Sequence, residues 1–343
     1  MLNFEEFQEY TKRSLESHLP EEMEGATIRL NEVRKNNGLI LHGVTVQPKG
    51  SSVAPNIYLE GYFEQYKNGK SLDEVLDGIA RCAADHMGPT EEMMSFAHDF
   101  INFDWVKDRV IMVVCNTEQN RDLLATVPHT EKEDLSLIYK VSMGKDENGL
   151  STVLINNDHM SAWGTDVEEL HELAMKNTKE ILPVTVMSMN DVMRQMFGND
   201  GMPDEIMEMM FQDMPADEQM YVISNESNIN GAASMFYEEA LSKLSEQVGS
   251  DLYILPSSVH EVIAVSTKLG DPEMLSNMVQ EVNGSEVSAE ERLSDHVYRF
   301  DAAKRTLSLA DTSIEEIQAK VSENAQSYDA TNKSEGTCAR HRR

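Results

Sequence analysis

The chain has 343 residues, enough for roughly two domains of ordinary size, and its hydrophobic fraction of 40% with only 6% aromatics supports a core poor in rings. Twenty-nine basic residues against 60 acidic ones leave a net charge of −31. A surface this negative repels phosphate backbones, which excludes general nucleic-acid and anionic-membrane binding. It reads as a solubilising acidic coat, or as a nucleic-acid mimic if the carboxylates gather on one face. Cys82, Cys115 and Cys338 lie far apart, without CxxC or Cys/His ligand spacing. So sparse and odd a count points to a reducing compartment and not to a disulfide framework. The N-terminus is acidic and amphipathic, and no run approaches the ~18 to 20 apolar residues of a membrane span. A cytoplasmic protein is expected.

Phe4, Phe7, Leu15 and Leu19 recur near helical spacing over residues 3–18, with Asn3 and Glu6 placed as a capping box. Two alternating runs, 26–33 and 39–46, flank Asn36-Asn37-Gly38 and predict a β-hairpin. Residues 57–67 and 71–86 read as two helices, the second capped by Ser71 with Glu74, and 91–103 as another. Arg109 to Cys115 is a short apolar run that fits a buried central strand. Leu135 to Met143 and Ser151 to Ile155 read as strands around a turn at 145–149. Thr165 to Glu168 has the spacing of a capping box opening a helix through about Lys179, which Pro183 closes.

Residues 187–220 hold ten methionines and no basic residue after Arg194. Met193, Met196 and Phe197, then Ile206, Met209 and Met210, suggest two short amphipathic helices. Their thioethers either fill a core or form an adaptable partner-binding face. Beyond them, strands are expected at 220–224, 252–255, 259–266, 297–300 and 306–309, with helices at 232–248 and 272–283. Together these predict an α+β fold: mixed or antiparallel sheets covered by helices, in two packed subdomains. The expected division is 1–185, a Met-rich acidic helical linker at 186–219, 220–323, and a disordered tail at 324–343.

No phosphate-binding GxxxxGK[ST], GxGxxG, HExxH, EF-hand or GxSxG pattern is present. Four polar stretches remain. Pro256 to Glu261 sets Ser258 beside His260 and Glu261, the ingredients of nucleophilic or acid–base work, or else a turn whose serines satisfy backbone groups. Asn156 to Gly164 offers Asp158 and His159 as ligands or a base. The same stretch also reads as a one-turn helix capped by Asn157 or Asp158, with Trp163 as a core anchor before the Gly164 stop. His129 stands beside acids at 131, 133 and 134. Asn225 to Ala233 enters a helix N-terminus that could hold an anion, although no Lys or Arg lies near it in sequence. No metal or cofactor is expected.

Several ordered stretches together resemble the domain-of-unknown-function 5688 family of bacteria. They are residues 36–43, 54–60, 66–69, 127–129, 159–164, 230–233 and 250–262, so the likeness runs from about residue 2 to 310. A fainter likeness is to the YtpQ-like family. The resemblance implies a bacterial cytoplasmic protein and brings no catalytic residues with it. The expected function is therefore a non-enzymatic interaction or accessory protein whose partner is another protein. The alternatives are an enzyme with an unfamiliar site built from His129, His159 or His260 with Ser258 and neighbouring Asn side chains, and the acidic nucleic-acid mimic.

Overall fold

The computed structural model describes residues 1–49, 54, 56–85, 96, 98–146, 149–199 and 214–310. The fold is α+β, and every strand pairing among these residues is antiparallel. The chain divides into two compact units, Met1–Pro183 with Ser288–Leu293, and Val184–Val287 with the residues from Ser294 onward.

The first unit opens with α1 (Phe4–Ser14). Asn3 accepts from the Glu6 amide and Glu6 reaches back to the Asn3 amide, so the predicted capping box forms. The hairpin forms as expected from β1 (Thr27–Arg34) and β2 (Ile40–Gln47), in register from Thr27 against Gln47 to Arg34 against Ile40. Asn37 and Gly38 both take positive φ, 57° and 70°, which is why the turn needs these residue types. The helix expected from residue 57 starts later. Asn56–Tyr58 is instead a third strand, β3, on β2, and α2 runs Glu60–Lys67. Pairing with β2 outweighs the local helical pattern there. α3 (Leu72–Asp85) begins at the Ser71–Glu74 box and buries Val75, Leu76 and Ile79 against Phe7, Leu15 and Leu59. The helix expected over 91–103 lies largely outside the described residues.

The unit's second sheet joins β4 (Val110–Asn116), β5 (His129–Lys132), β6 (Leu135–Asp146) and β7 (Gly149–Leu154) around the long central β6. Every residue of β4 is buried, as its continuous apolar run demands. One face packs on α6 (Val167–Ile181), whose Thr178 hydroxyl accepts from the Met112 amide at 3.0 Å. The other face packs Val113, Cys115 and Ile138 against Leu124 of α4 (Arg121–Leu124) and Val127. Asp166 caps α6 by accepting from Glu169, one position later than the Thr165–Glu168 box expected. Likewise Asn156, not Asn157 or Asp158, caps α5 (Asn157–Trp163).

Residues Ser288–Leu293 form a strap on this unit. Three asparagine side chains grip its backbone. Asn36 Nδ2 donates to Glu290 O at 2.7 Å, Asn37 Nδ2 to Ala289 O at 2.9 Å and Arg292 O at 2.6 Å, and Asn116 Nδ2 to Leu293 O at 3.0 Å. Asn120 in turn bonds both the amide and the side chain of Asn37.

The second unit is one six-stranded sheet in the order β13-β12-β10-β11-β9-β8. Its strands are β8 (Val184–Ser188), β9 (Met220–Asn225), β10 (Leu252–Leu255), β11 (Val262–Ser266), β12 (Tyr298–Asp301) and β13 (Thr306–Leu309). The strand β8 falls where the sequence pattern suggested only helix and linker. Five residues are too few to declare a period, and pairing with β9 decides the matter. It leads into α7 (Met189–Asn199), the first of the two helices expected in the Met-rich stretch. The second lies outside the described residues, as does the C-terminal tail from 311. The helix expected over 232–248 is split. A 3-10 segment, Gly231–Phe236, breaks at extended Tyr237 before α8 (Glu238–Val248). α9 (Pro272–Ser285) is capped by Asp271 and lays Leu275 and Val279 on Tyr253, Leu255 and Val265.

Candidate functional site

The histidines singled out in the sequence each have a local partner. In the first unit, His129 Nδ1 meets Val127 O at 3.0 Å and its Nε2 lies 3.8 Å from Glu131. His159 closes the α5 capping box by accepting from the Asn156 amide at 3.3 Å. Its ring stands edge-on to Phe100 at 5.0 Å, and the Trp163 indole donates to Phe100 O.

In the second unit, the structure brings together two stretches that the sequence kept apart. His260 Nδ1 accepts from the Asn230 amide at 3.2 Å, and His260 O accepts from Ser224 Oγ at 2.8 Å. Ser258 Oγ accepts from the His260 amide at 3.0 Å, so Ser258 closes a turn and does not address the imidazole through that bond. A Cβ on Gly231 would meet Ser224 Oγ at 2.3 Å and His260 O at 2.6 Å, so only glycine lets the two loops approach. Loops 225–231 and 256–261 thus lock each other. The chemistry of these bonds is turn closure. Of the cysteines, burial pushes the pKa of the Cys115 thiol up to about 12, so it stays protonated. Among the described residues no group of three His, Cys, Asp or Glu side chains could hold a metal ion.

The feature that sequence reasoning missed lies at the edge of the second sheet. β8 reads Val-Thr-Val-Met-Ser, with no charge and no proline inside it, and ends the strand order. Among the described residues it pairs with β9 alone, leaving alternate backbone N–H and C=O groups facing outward. Edge strands are ordinarily guarded by charge, proline or a bulge. At the opposite edge, the basic pair Lys304-Arg305 stands beside β13, where Arg305 bonds Glu238.

Beside β8 lies a cavity of about 540 Å³. Val186, Met187, Met214 and Leu244 give it apolar walls, while Tyr221, Gln247 and Asp191 supply polar groups. Register explains part of the lining: Val184, Val186 and Ser188 lie opposite Asn225, Ile223 and Tyr221 and share one face, whereas Met187, opposite Val222, belongs to the other. The Tyr221 hydroxyl donates to Ala216 O at 3.2 Å. Burial holds its pKa above the ordinary tyrosine value against the bond from Gln247, with Asp191 and Asp217 adding to the rise. Val186 and Met214 stay 37% and 43% exposed, which leaves the apolar wall open to water.

The model of a family of unknown function, DUF5688, matches residues 4–302. The chain belongs to that family. In this DUF5688 protein the match spans both units and includes every polar cluster described above. No curated protein and no solved structure matches the chain. No helix among the described residues is long and apolar enough to cross a membrane.

Proposed function

We propose that this protein is a non-enzymatic accessory protein that takes up an extended segment of a partner protein along β8. The observation that carries the reading is an uncharged, apolar edge strand standing beside an open cavity of about 540 Å³. Strand addition would satisfy the outward backbone groups of β8, and an alternate side chain of the incoming segment would enter the cavity. Exposed Val186 and Met214 would be covered, in keeping with the use of methionine at adaptable surfaces. The net charge of −31 favours a partner segment carrying lysine or arginine. The sparse, odd cysteine count favours a reducing, cytoplasmic setting for this role.

The test is capture from native bacterial lysate with the wild-type chain and with Val186→Lys and Thr185→Pro variants. A partner recovered by the wild type and lost with both variants supports the reading. Equal recovery by all three, or no partner at any salt concentration, sinks it.

A further inference from the structure

The first unit holds a second, smaller recess with the opposite character. It measures about 160 Å³. Arg34 at the end of β1, Lys35 after it and Arg121 at the start of α4 all line it. Acids outnumber bases about two to one in this chain, so an even scatter of charge would not gather three cations around so small a space.

The carboxylates that share the recess do not neutralise it. Asp122 pairs with Arg34 and Glu118 with Arg121. Three cations against two carboxylates leave one cation in excess, and that one is Lys35. Among the described residues its ammonium has no ion pair; it sits 4.4 Å over the Tyr58 ring.

Near it, from β6, comes Lys140, which pairs across the sheet with apolar Ile111 and Leu154. Burial above all holds its ammonium below the ordinary lysine range; Cys115 partly opposes that, and the positive charge of Lys35 adds to it. Gly38, Gln119 and Asn120 complete the recess.

We propose that this recess binds a phosphate-sized oxyanion, held by Lys35 and the two guanidiniums, with their carboxylate partners fixing the geometry. Planar guanidiniums and a free ammonium are the groups that recognise phosphate oxygens. The site is on a different unit from β8 and does not depend on the docking role.

Calorimetric titration of inorganic phosphate into the full chain, at ionic strength matched with chloride, tests it. Saturable binding is expected for the wild type and for a surface control on the second unit, Lys304→Gln. Lys35→Gln and Arg121→Gln are each expected to bind about tenfold more weakly, the effect of losing one charge-assisted contact. Both substituted side chains reach the surface, and far-UV circular dichroism checks that the variants fold. No saturable signal beyond the chloride control, or wild-type affinity in either variant, overturns the proposal.

Discussion

The strap region of the first unit and the β8 edge of the second handle exposed backbone in opposite ways. At the strap, Asn36, Asn37 and Asn116 supply side-chain donors to four carbonyls of Ser288–Leu293, and Asn120 steadies Asn37. A stretch without strand or helix ladder is thereby satisfied by amides from elsewhere. At β8 the opposite holds: the ladder to β9 is complete on one side, and among the described residues the other side has no strand. Closure by side chains makes a region stable but committed. An unguarded edge keeps its hydrogen-bonding capacity for something else.

The sharpest way to break that contrast is at Asn37. Asn37→Ala removes two hydrogen bonds to the strap and one from Asn120 Nδ2, which keeps its bond to Asn116 O, and puts alanine at φ 57°. Unfolding of the first unit in urea should show a loss of about 3 kcal/mol. Asn37→Gly, which tolerates that φ, should lose less; equal losses would assign the whole effect to the side chain.

Next is Thr178→Val, inside the first unit but away from the strap. It leaves the buried Met112 amide without its acceptor and should cost about 2 kcal/mol by the same measurement. A smaller cost than at β8 would overturn the view that closure concentrates stability in the first unit.

A third variant, Lys140→Met, should act in the other direction. The folded pKa of Lys140 is depressed, so the unfolded chain binds more protons below the ordinary lysine value near ~10.4. Stability attributable to this group therefore falls as pH drops through that window, and the charged form is a net burden at neutral pH. Lys140→Met should stabilise the protein by about 1 kcal/mol at pH 7 in phosphate-free buffer. The gain should vanish as pH rises towards ~10.4. A gain that does not change with pH would make it a packing effect only.

The smallest expected effect on stability is at the edge itself. Val186→Lys changes an exposed side chain and should move the unfolding midpoint by less than ~0.5 kcal/mol. It is nonetheless the substitution that should abolish partner capture. A large destabilisation would mean that β8 is already covered.

Much of the fold was legible in the sequence. The Asn3 and Ser71 capping boxes, the Asn37-Gly38 turn and the continuous apolar run of β4 each express a local rule, and each formed as read. The failures are equally local in cause. Asn56–Tyr58 and Val184–Ser188 are strands of three and five residues, too short to show a period, and only their neighbours β2 and β9 make them strands. The helix over 232–248 was broken because Gly231 must sit against Ser224 and His260, which no helical periodicity reveals.

The candidate site was less legible than the fold. Sequence reasoning went to clusters of reactive residue types, and His129, His159, Ser258 and His260 are each engaged in turns or caps. Neither the β8 edge nor the basic recess carries a motif. The first is defined by what does not pair with it among the described residues, and the second by the adjacent Arg34-Lys35 and by Arg121, which is distant from them in sequence and their neighbour in space.

Composition and local pattern by themselves determined the acidic surface, the α+β class, the turns and caps, and membership of a family whose function is unknown. Only the tertiary structure decided which strand is an edge, which carbonyls the asparagines reach and where the cations gather. Those are properties of pairing between segments far apart in the chain, and local periodicity holds no information about a partner 83 or 255 residues away, as at Asn37–Asn120 and Asn37–Arg292.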